Sequence, residues 1–212
     1  MKARSVMGWI TLGWVGLMGF LSCGAQTPTP AVSPVSILPP VKLEVSWVKQ
    51  ENPNLCGLAA LEMLTHFYNQ KLNQTQEDWL RTTAGSGSGL KGLDLVTVLR
   101  AADYETAVFP GTLSGDESTG LFFHLKKGRP MILMITSKDG HNSHYDVVTG
   151  FDQKQGQLFV VDPAIGSLNV PIKDFTLAWD RAKNFTLLAM PKSLVELQST
   201  PTETGTPGSS RK

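Results

Sequence analysis

A single cysteine in the folded part of the chain is the residue best suited to do chemistry. Cys56 stands in the run QENPNLCG, ahead of an apolar helical segment, while Cys23 ends an apolar N-terminal segment that is typical of an export signal. An exported domain with one thiol cannot form an internal disulfide, and an idle thiol is a liability in an oxidising compartment. A helix start favours the thiolate form. We therefore predict that Cys56 is a nucleophile rather than a buried structural cysteine.

A base for this thiol is expected on a later strand. His144 opens the β-rich run HYDVVTG, so a rigid element would hold the ring while its tip reaches a cleft. It would take the proton of Cys56 and later pass it to a leaving group. The histidines His66 and His124 lie in helical segments and are assigned structural or surface roles. His141, in the flexible run KDGHNS, is the serious alternative.

An acidic partner for the imidazole is expected on the strand after that. Asp162 ends the run LFVVD and is followed by Pro163. Hairpin pairing would bring the strand ends that carry His144 and Asp162 together, and the carboxylate would then orient the ring. A turn-forming Asp-Pro pair is the plain alternative. Asp146, on the same strand as His144, and Asp152, at the far turn, are less favoured candidates.

The hydrophobic pattern changes from a helical to a β period along the domain. Helices followed by an antiparallel sheet define an α+β fold, with the thiol on a helix and the base on the sheet. The first helix is predicted to follow Asn54 as its N-cap, with Leu58, Leu61, Leu64 and Tyr68 on one face. Further helices are predicted over 75–82 behind Asn73, 93–102, 121–127 and 172–179, and strands over 43–47, 130–136, 144–151, 157–162 and 185–190.

Residues 1–22 are predicted to be a lipoprotein-type signal peptide. Lys2 and Arg4 precede an apolar run that falls short of the ~20 residues of a comfortable membrane span, and small residues surround Cys23 in LSCG. This pattern resembles a bacterial lipobox, which implies cleavage before Cys23 and a lipid on its sulfur. An ordinary signal and an uncleaved anchor are the alternatives. We further predict a Pro/Ser/Thr-rich linker over 23–41, one domain over 42–191 and a disordered tail over 192–212.

Four residues in a fixed order carry a family resemblance. Gln50, six residues before Cys56, is followed by the runs HYDVVTGFD and LFVVDPAIG, which contain His144 and Asp162. Together they resemble the bacteriocin-processing C39 peptidases and the stand-alone C39-like proteins of the papain-like clan. The resemblance implies a papain-like fold, with a nucleophile helix in an N-terminal helical half that packs on an antiparallel sheet. It implies Cys56 as nucleophile, His144 as base, Asp162 as orienting acid and Gln50 as oxyanion donor.

The resemblance also implies an activity, namely a cysteine peptidase that hydrolyses a peptide bond of a peptide or protein through an acyl-thioester. The alternatives are a catalytically silent peptide-binding module and a thiol transpeptidase or amidohydrolase. The last is less favoured because the Asp-Cys-Ser-Gly-like motif of cell-wall enzymes is absent. We expect a stand-alone form without exporter or ATPase segments, so cleavage of a double-glycine leader is not carried over.

Composition argues against several other classes. The net charge of +1, without a basic stripe, speaks against a nucleic-acid partner. No His/Cys/Asp cluster has metal-ligand spacing, so we predict neither a metal nor a cofactor. Gly24 stands after Cys23 where an inner-membrane retention signal would have Asp, which favours the outer membrane and a domain that faces the periplasm. The substrate, the cleavage site and the oligomeric state stay open.

Overall fold

The computed structural model of this chain describes residues 37–199 apart from 86 and 88. The predicted signal, most of the predicted linker and the last part of the predicted tail lie outside the described residues.

An antiparallel sheet forms the centre of the described part of the chain. Its strands are β1 (Val41–Lys42), β2 (Tyr104–Pro110), β3 (Met131–Thr136), β4 (Ser143–Asp152), β5 (Gln157–Asp162), β6 (Gly166–Pro171) and β7 (Phe185–Pro191). They pair in the order β2-β7-β3-β4-β5-β6, and β1 pairs with the far end of β4. Side chains alternate between the two faces of each strand, so both faces can be buried against helices.

Helices cover both faces of the sheet. They are α1 (Cys56–Phe67), α2 (Gln74–Ala84), α3 (Gly92–Ala101), α4 (Leu121–Lys126), α5 (Ile172–Arg181) and α6 (Lys192–Ser199). Helices α1 to α3 share one buried cluster with Ile132 and Val147 of the sheet. Helices α4 and α5 share a second cluster with Leu133 and Val148, the alternate residues of the same two strands. The core therefore has two layers, one on each side of the sheet.

A short 3₁₀ turn leads into α1 and sets the position of Cys56. Pro53–Leu55 forms this turn, and the side chain of Asn52 accepts a hydrogen bond from the N–H of Asn54 at 2.9 Å. The predicted cap at Asn54 is therefore wrong, because Asn52 caps the turn and Cys56 begins the helix directly after it. The three leucines predicted for the apolar face of α1 are buried.

Most other elements lie where the periodicity predicts them. The side chains of Asn73 and Gln76 form a capping box at the start of α2, which confirms the predicted N-cap. Helix α4 ends just before Gly128, whose φ of 71° lies in the left-handed region that glycine adopts without strain.

The first and sixth strands differ from the prediction. Residues 43–47 are not a strand, although the N–H of Leu43 donates to the carbonyl oxygen of Thr149 at 2.8 Å and so extends the contact of β1. Strand β6 was not predicted, because Gly166 and Pro171 at its ends indicate turns. Pairing with β5 along its whole length makes it a strand.

Strand β2 and helix α6 were also missed. Strand β2 has exposed positions in its middle and is specified by its pairing with β7 rather than by its own pattern. The tail that was predicted to be disordered from residue 192 begins instead with α6, so this part of the prediction is wrong. The N–H of Lys192 donates to the carbonyl oxygen of Asp103 at 2.9 Å and attaches the helix to the domain.

The predicted α+β class is confirmed by this arrangement. Within the described residues, no helix has the length and the apolar character that a bilayer crossing requires.

Candidate active site

The paired ends of β4 and β5 bring His144 and Asp162 into contact. Val147 lies opposite Val161, so the first residues of β4 lie beside the last residues of β5. Nε2 of His144 lies 3.0 Å from Oδ1 of Asp162. The same oxygen accepts a hydrogen bond of 2.6 Å from the N–H of Ala164, which holds the carboxylate in place.

The turn after β5 is held by the segment that precedes the nucleophile. The indole N–H of Trp47 donates to the carbonyl oxygen of Asp162 at 3.1 Å. The backbone N–H of Gln50 donates to the carbonyl oxygen of Pro163 at 2.9 Å. The chain leading to Cys56 and the turn that carries the acid therefore form one hydrogen-bonded unit.

Cys56 lies at the first position of α1 and is 7% exposed. The first N–H groups of a helix lack partners within the helix, and their partial positive charge favours an anion such as a thiolate. The side chain of Cys56 lies close enough to the His144 ring to raise the pKa of the imidazole. The His144 side chain is 24% exposed, so the thiol–imidazole pair borders the surface.

The surroundings of His144 favour its protonated form. Burial by itself lowers the pKa of His144, but the hydrogen bond with Cys56 and the negative charges nearby outweigh this effect and raise the pKa to about 9. These charges belong to Asp146, Cys56 and Asp162. The imidazolium form is therefore favoured at neutral pH, which is the partner that a thiolate needs.

Asp146 is a second carboxylate at the same imidazole. Its Oδ1 lies 3.6 Å from Nε2 of His144, and the residue is 3% exposed. Burial raises the pKa of Asp146 to about 7, with a further increase from the charge of Asp162 and an opposing effect of His144. Sequence reasoning set this residue aside in favour of Asp162. The two-residue spacing from His144, which places both on one face of β4, was the signal that could have found it.

Gln50 lies beside the turn after β5, and its side chain contacts the segment that leads to Cys56. Its Nε2 donates to the carbonyl oxygen of Asn52 at 3.1 Å. Its Oε1 is buried and has no hydrogen-bond partner among the described residues. An amide nitrogen carries two hydrogens, so one N–H remains for a substrate oxygen. The oxyanion role of Gln50 stays a prediction.

The remaining candidate residues, His141 and Asp152, lie apart from this cluster. The backbone of exposed His141 donates to Oδ1 of Asp139 within its own turn. The carboxylate of Asp152, at the far end of β4, accepts a hydrogen bond from the N–H of Gln155. The ring of His124 is buried against the carbonyl oxygen of Ser118. The structure brings Cys56, His144 and Asp162 together. Their catalytic roles stay predictions. Cys23 lies outside the described residues.

One group of side chains has the spacing that a metal ion requires. The ligand atoms of His144, Asp146 and Asp162 lie within 4.8 Å of one another in the described part of the chain. The hydrogen bond of 3.0 Å between His144 and Asp162 already accounts for Nε2, so we treat the group as an acid–base cluster. The expectation of no metal stays a prediction.

An α+β domain with a thiol at a helix start and an imidazole and a carboxylate on its sheet defines the fold of the papain-like cysteine peptidases. Within that class, this chain belongs to the Peptidase_C39 like family, whose model matches residues 42–187. The predicted fold and family are thereby confirmed. No curated protein matches the sequence.

Solved structures of C39 peptidases share the fold. The peptidase domain of Streptococcus ComA, a bifunctional ABC transporter involved in a quorum sensing pathway, has a TM-score of 0.56 at 20% identity, over 70% of this chain and 99% of that chain. A double glycine motif protease from an AMS/PCAT transporter, in complex with its leader peptide, has a TM-score of 0.51 at 21% identity, over 72% and 97%. A C39-like peptidase from Bacillus anthracis has a TM-score of 0.50 at 15% identity, over 72% and 98%.

Proposed function

We propose that this domain is an active cysteine peptidase, in which Cys56 attacks a peptide bond and forms an acyl-thioester. The observation that carries the proposal is the placement of His144 between the thiol of Cys56 and the carboxylate of Asp162. A nucleophile, a base and an orienting acid in mutual contact are what covalent catalysis by a thiol requires.

The first half of the reaction forms the thioester. Because Nε2 of His144 is bonded to Asp162, Nδ1 is the nitrogen that takes the proton from Sγ of Cys56. The thiolate sulfur then attacks the carbonyl carbon of the substrate. The C–N bond breaks, and His144 gives its proton to the leaving amine.

The negative oxygen of the tetrahedral intermediate needs hydrogen-bond donors. The backbone N–H of Cys56, at the start of α1, is one donor, and the remaining amide N–H of Gln50 is the other. The backbone hydrogen bond from Gln50 to Pro163 fixes the position of Gln50 relative to Asp162.

The second half of the reaction releases the acid product. His144 takes a proton from a water molecule, the resulting hydroxyl attacks the thioester carbonyl, and the C–S bond breaks. The proton on His144 returns to the sulfur, so the enzyme regains its starting form.

The substrate is a peptide or protein. The transporter protease that shares the fold was solved with a leader peptide, which supports a peptide as the substrate of this domain.

We further propose that a lipid on Cys23 holds this peptidase at a bacterial membrane, on the periplasmic side of the outer membrane. The support is the LSCG motif after an apolar run and the identity of Gly24. Both residues lie outside the described part of the chain.

Hydrolysis of an oligopeptide library, read by mass spectrometry, tests the proposed activity. We expect the native protein to cleave a subset of peptides, and Cys56→Ser and His144→Ala to reduce the rate by roughly 10²-fold or more. His141→Ala is the matched control and is expected to keep the native rate, because its exposed ring lies in a separate turn. An acyl adduct mapped to Cys56 would support the thioester. Peptide binding without cleavage, or full activity of Cys56→Ser, would overturn the proposal.

A further inference from the structure

Two carboxylates face one imidazole nitrogen in this domain. Val147 pairs with Val161, and Asp146 and Asp162 are the residues next to this pair on β4 and β5. Nε2 of His144 lies 3.0 Å from Oδ1 of Asp162 and 3.6 Å from Oδ1 of Asp146. The first distance is a hydrogen bond, whereas the second is a charge contact without one.

Asp146 is not satisfied by the structure around it. It is 3% exposed, and its Oδ1 has no hydrogen-bond partner among the described residues. A buried carboxylate oxygen without a hydrogen bond is costly, and the charge of Asp162 on the neighbouring strand adds to the cost. An apolar residue would suit this position better if packing were the only requirement. Its interaction with His144 is what this carboxylate can contribute.

Few charged groups act on the cluster of His144, Asp146 and Asp162. The groups that act on Asp146 are His144 and Asp162, and the same cluster acts on His144 together with Cys56. Across the sheet, the β3 residue opposite Asp146 is the apolar Leu133. From α5, Arg181 donates to the carbonyl oxygen of Thr136, at the end of β3.

Next to the site, Tyr145 is the remaining titratable neighbour on β4. Burial raises its pKa, so it stays neutral over the range in which His144 titrates. The charge balance of His144 therefore depends on the two carboxylates and the thiol.

We propose that Asp146 is a positioning residue, which acts jointly with Asp162 to hold His144 as an imidazolium. This inference rests on the proposed function, since it concerns the base of that reaction. Asp162 orients the ring through a hydrogen bond, and Asp146 supplies a second negative charge at the same nitrogen. Together the two carboxylates keep His144 protonated beside the thiolate into the alkaline range, consistent with the pKa of about 9 for His144.

The titration of the His144 ring, followed by NMR in the full-length protein, tests the proposal without any need for a substrate. The signal is assigned by its loss in His144→Gln. In Asp146→Asn, which keeps the size of the side chain and removes its charge, we expect the midpoint of His144 to fall by about 1 pH unit. Asp152→Asn, at the opposite end of β4, is the control and is expected to leave the midpoint in place.

The pH dependence of Cys56 alkylation by the anion iodoacetate gives a second measurement, because the imidazolium of His144 attracts this reagent. We expect the rate to fall where His144 loses its proton, and this fall to move to lower pH by the same amount in Asp146→Asn, with little change near pH 6. A uniform decrease of the rate at every pH, or an unchanged His144 midpoint, would show a merely structural role and overturn the inference. If Asp146→Asn does not fold, the same two measurements are made on Asp146→Ser, with the same expectations. The NMR shift is independent of turnover, so the two failures are distinguishable: absence of peptide cleavage would overturn the proposed function, and an unchanged His144 midpoint in a protein that cleaves peptides would overturn only this inference.

Discussion

At the scale of single residues, the imidazole of His144 connects a thiol to two carboxylates. The hydrogen bond with Asp162 sets the orientation of the ring, and the surrounding negative charges set its proton affinity. Orientation and charge are separate contributions, and substitutions of one side chain can separate them.

The pH range of activity is expected to end where His144 loses its proton. Its pKa is raised from 6.5 to about 9, so the imidazolium is lost as the pH rises through about 9. Asp162→Asn keeps an oxygen that accepts the Nε2 hydrogen bond and removes the charge. We expect its alkaline limit to move to lower pH, with less than roughly tenfold loss of kcat/KM at pH 7. Asp162→Ala removes orientation as well, and a loss of roughly 10²-fold in kcat/KM is expected at every pH. A pH profile of kcat/KM, which reports the free enzyme, checks this for both variants, and equal profiles would contradict it.

The buried charge of Asp146 is expected to reduce stability. Its pKa is raised from 3.8 to about 7, so the folded state keeps a proton that the unfolded state releases between these values. The contribution of Asp146 to the stability of the native protein therefore decreases as the pH rises from 3.8 to 7. Asp146→Asn has no such loss, and we expect its free energy of unfolding to exceed that of the native protein by about 1–3 kcal/mol at pH 8.

Urea unfolding at pH 5 and pH 8 measures this difference. It should be larger at pH 8 than at pH 5, and Asp152→Asn, the control, should show no such trend. A variant that is less stable than the native protein at pH 8 would contradict the argument.

At the scale of elements, the site depends on how the segment before α1 is attached to the sheet. Strand β1 pairs with Phe151 and Gly150 at the far end of β4, and Trp47 and Gln50 then contact the turn after β5. The segment therefore spans the sheet and delivers Cys56 to the strand ends. A change that displaces β1 acts on the site through this segment.

Gly150 permits the close approach of β1. A Cβ at this position would lie 2.1 Å from the carbonyl oxygen of Val41 and 2.8 Å from Cα of Lys42, so the backbone would have to move. We expect Gly150→Ala to lower the free energy of unfolding by about 1–3 kcal/mol. Gly85→Ala is the matched control, since its φ is −63° and its closest contacts would be 3.4 Å, and a change within about 0.5 kcal/mol is expected. Urea unfolding of both variants makes the comparison, and equal effects would contradict it.

At the scale of the whole molecule, the proposed anchor and the domain are expected to work independently. The lipid would be attached to the sulfur of Cys23, outside the described residues, and the predicted linker is rich in proline, which favours extended chains. Removal of that sulfur should therefore change location and leave the chemistry of Cys56 unchanged.

Metabolic labelling with radioactive palmitate tests the anchor. We expect the native protein to incorporate label and to fractionate with membranes, and Cys23→Ala to lose both properties. The rate of Cys56 alkylation by iodoacetamide in the purified variant is the control and should equal the native rate. Label retained by Cys23→Ala would contradict lipid attachment at this sulfur.

The elements that were predicted correctly are those with a strong local pattern. Helix α2 follows from Asn73 and its capping box, and β4 and β5 follow from runs of β-branched residues with a glycine-containing turn between them. Strand β2, strand β6 and helix α6 have weak patterns of their own. They are specified by partners elsewhere in the chain, which local periodicity does not report.

The chemistry of the site divides along the same line. The hairpin that joins β4 to β5 was sufficient to place His144 beside Asp162, because strand pairing is a local event, whereas the place of Cys56 beside them was implied by the family resemblance. The role of the second carboxylate, Asp146, depends on the pairing of β4 with β5 and on its burial between the helical layers. Distances between side chains and the loss of water around them arise only when the sheet and helices pack, so the proton affinities in this cluster belong to the folded protein.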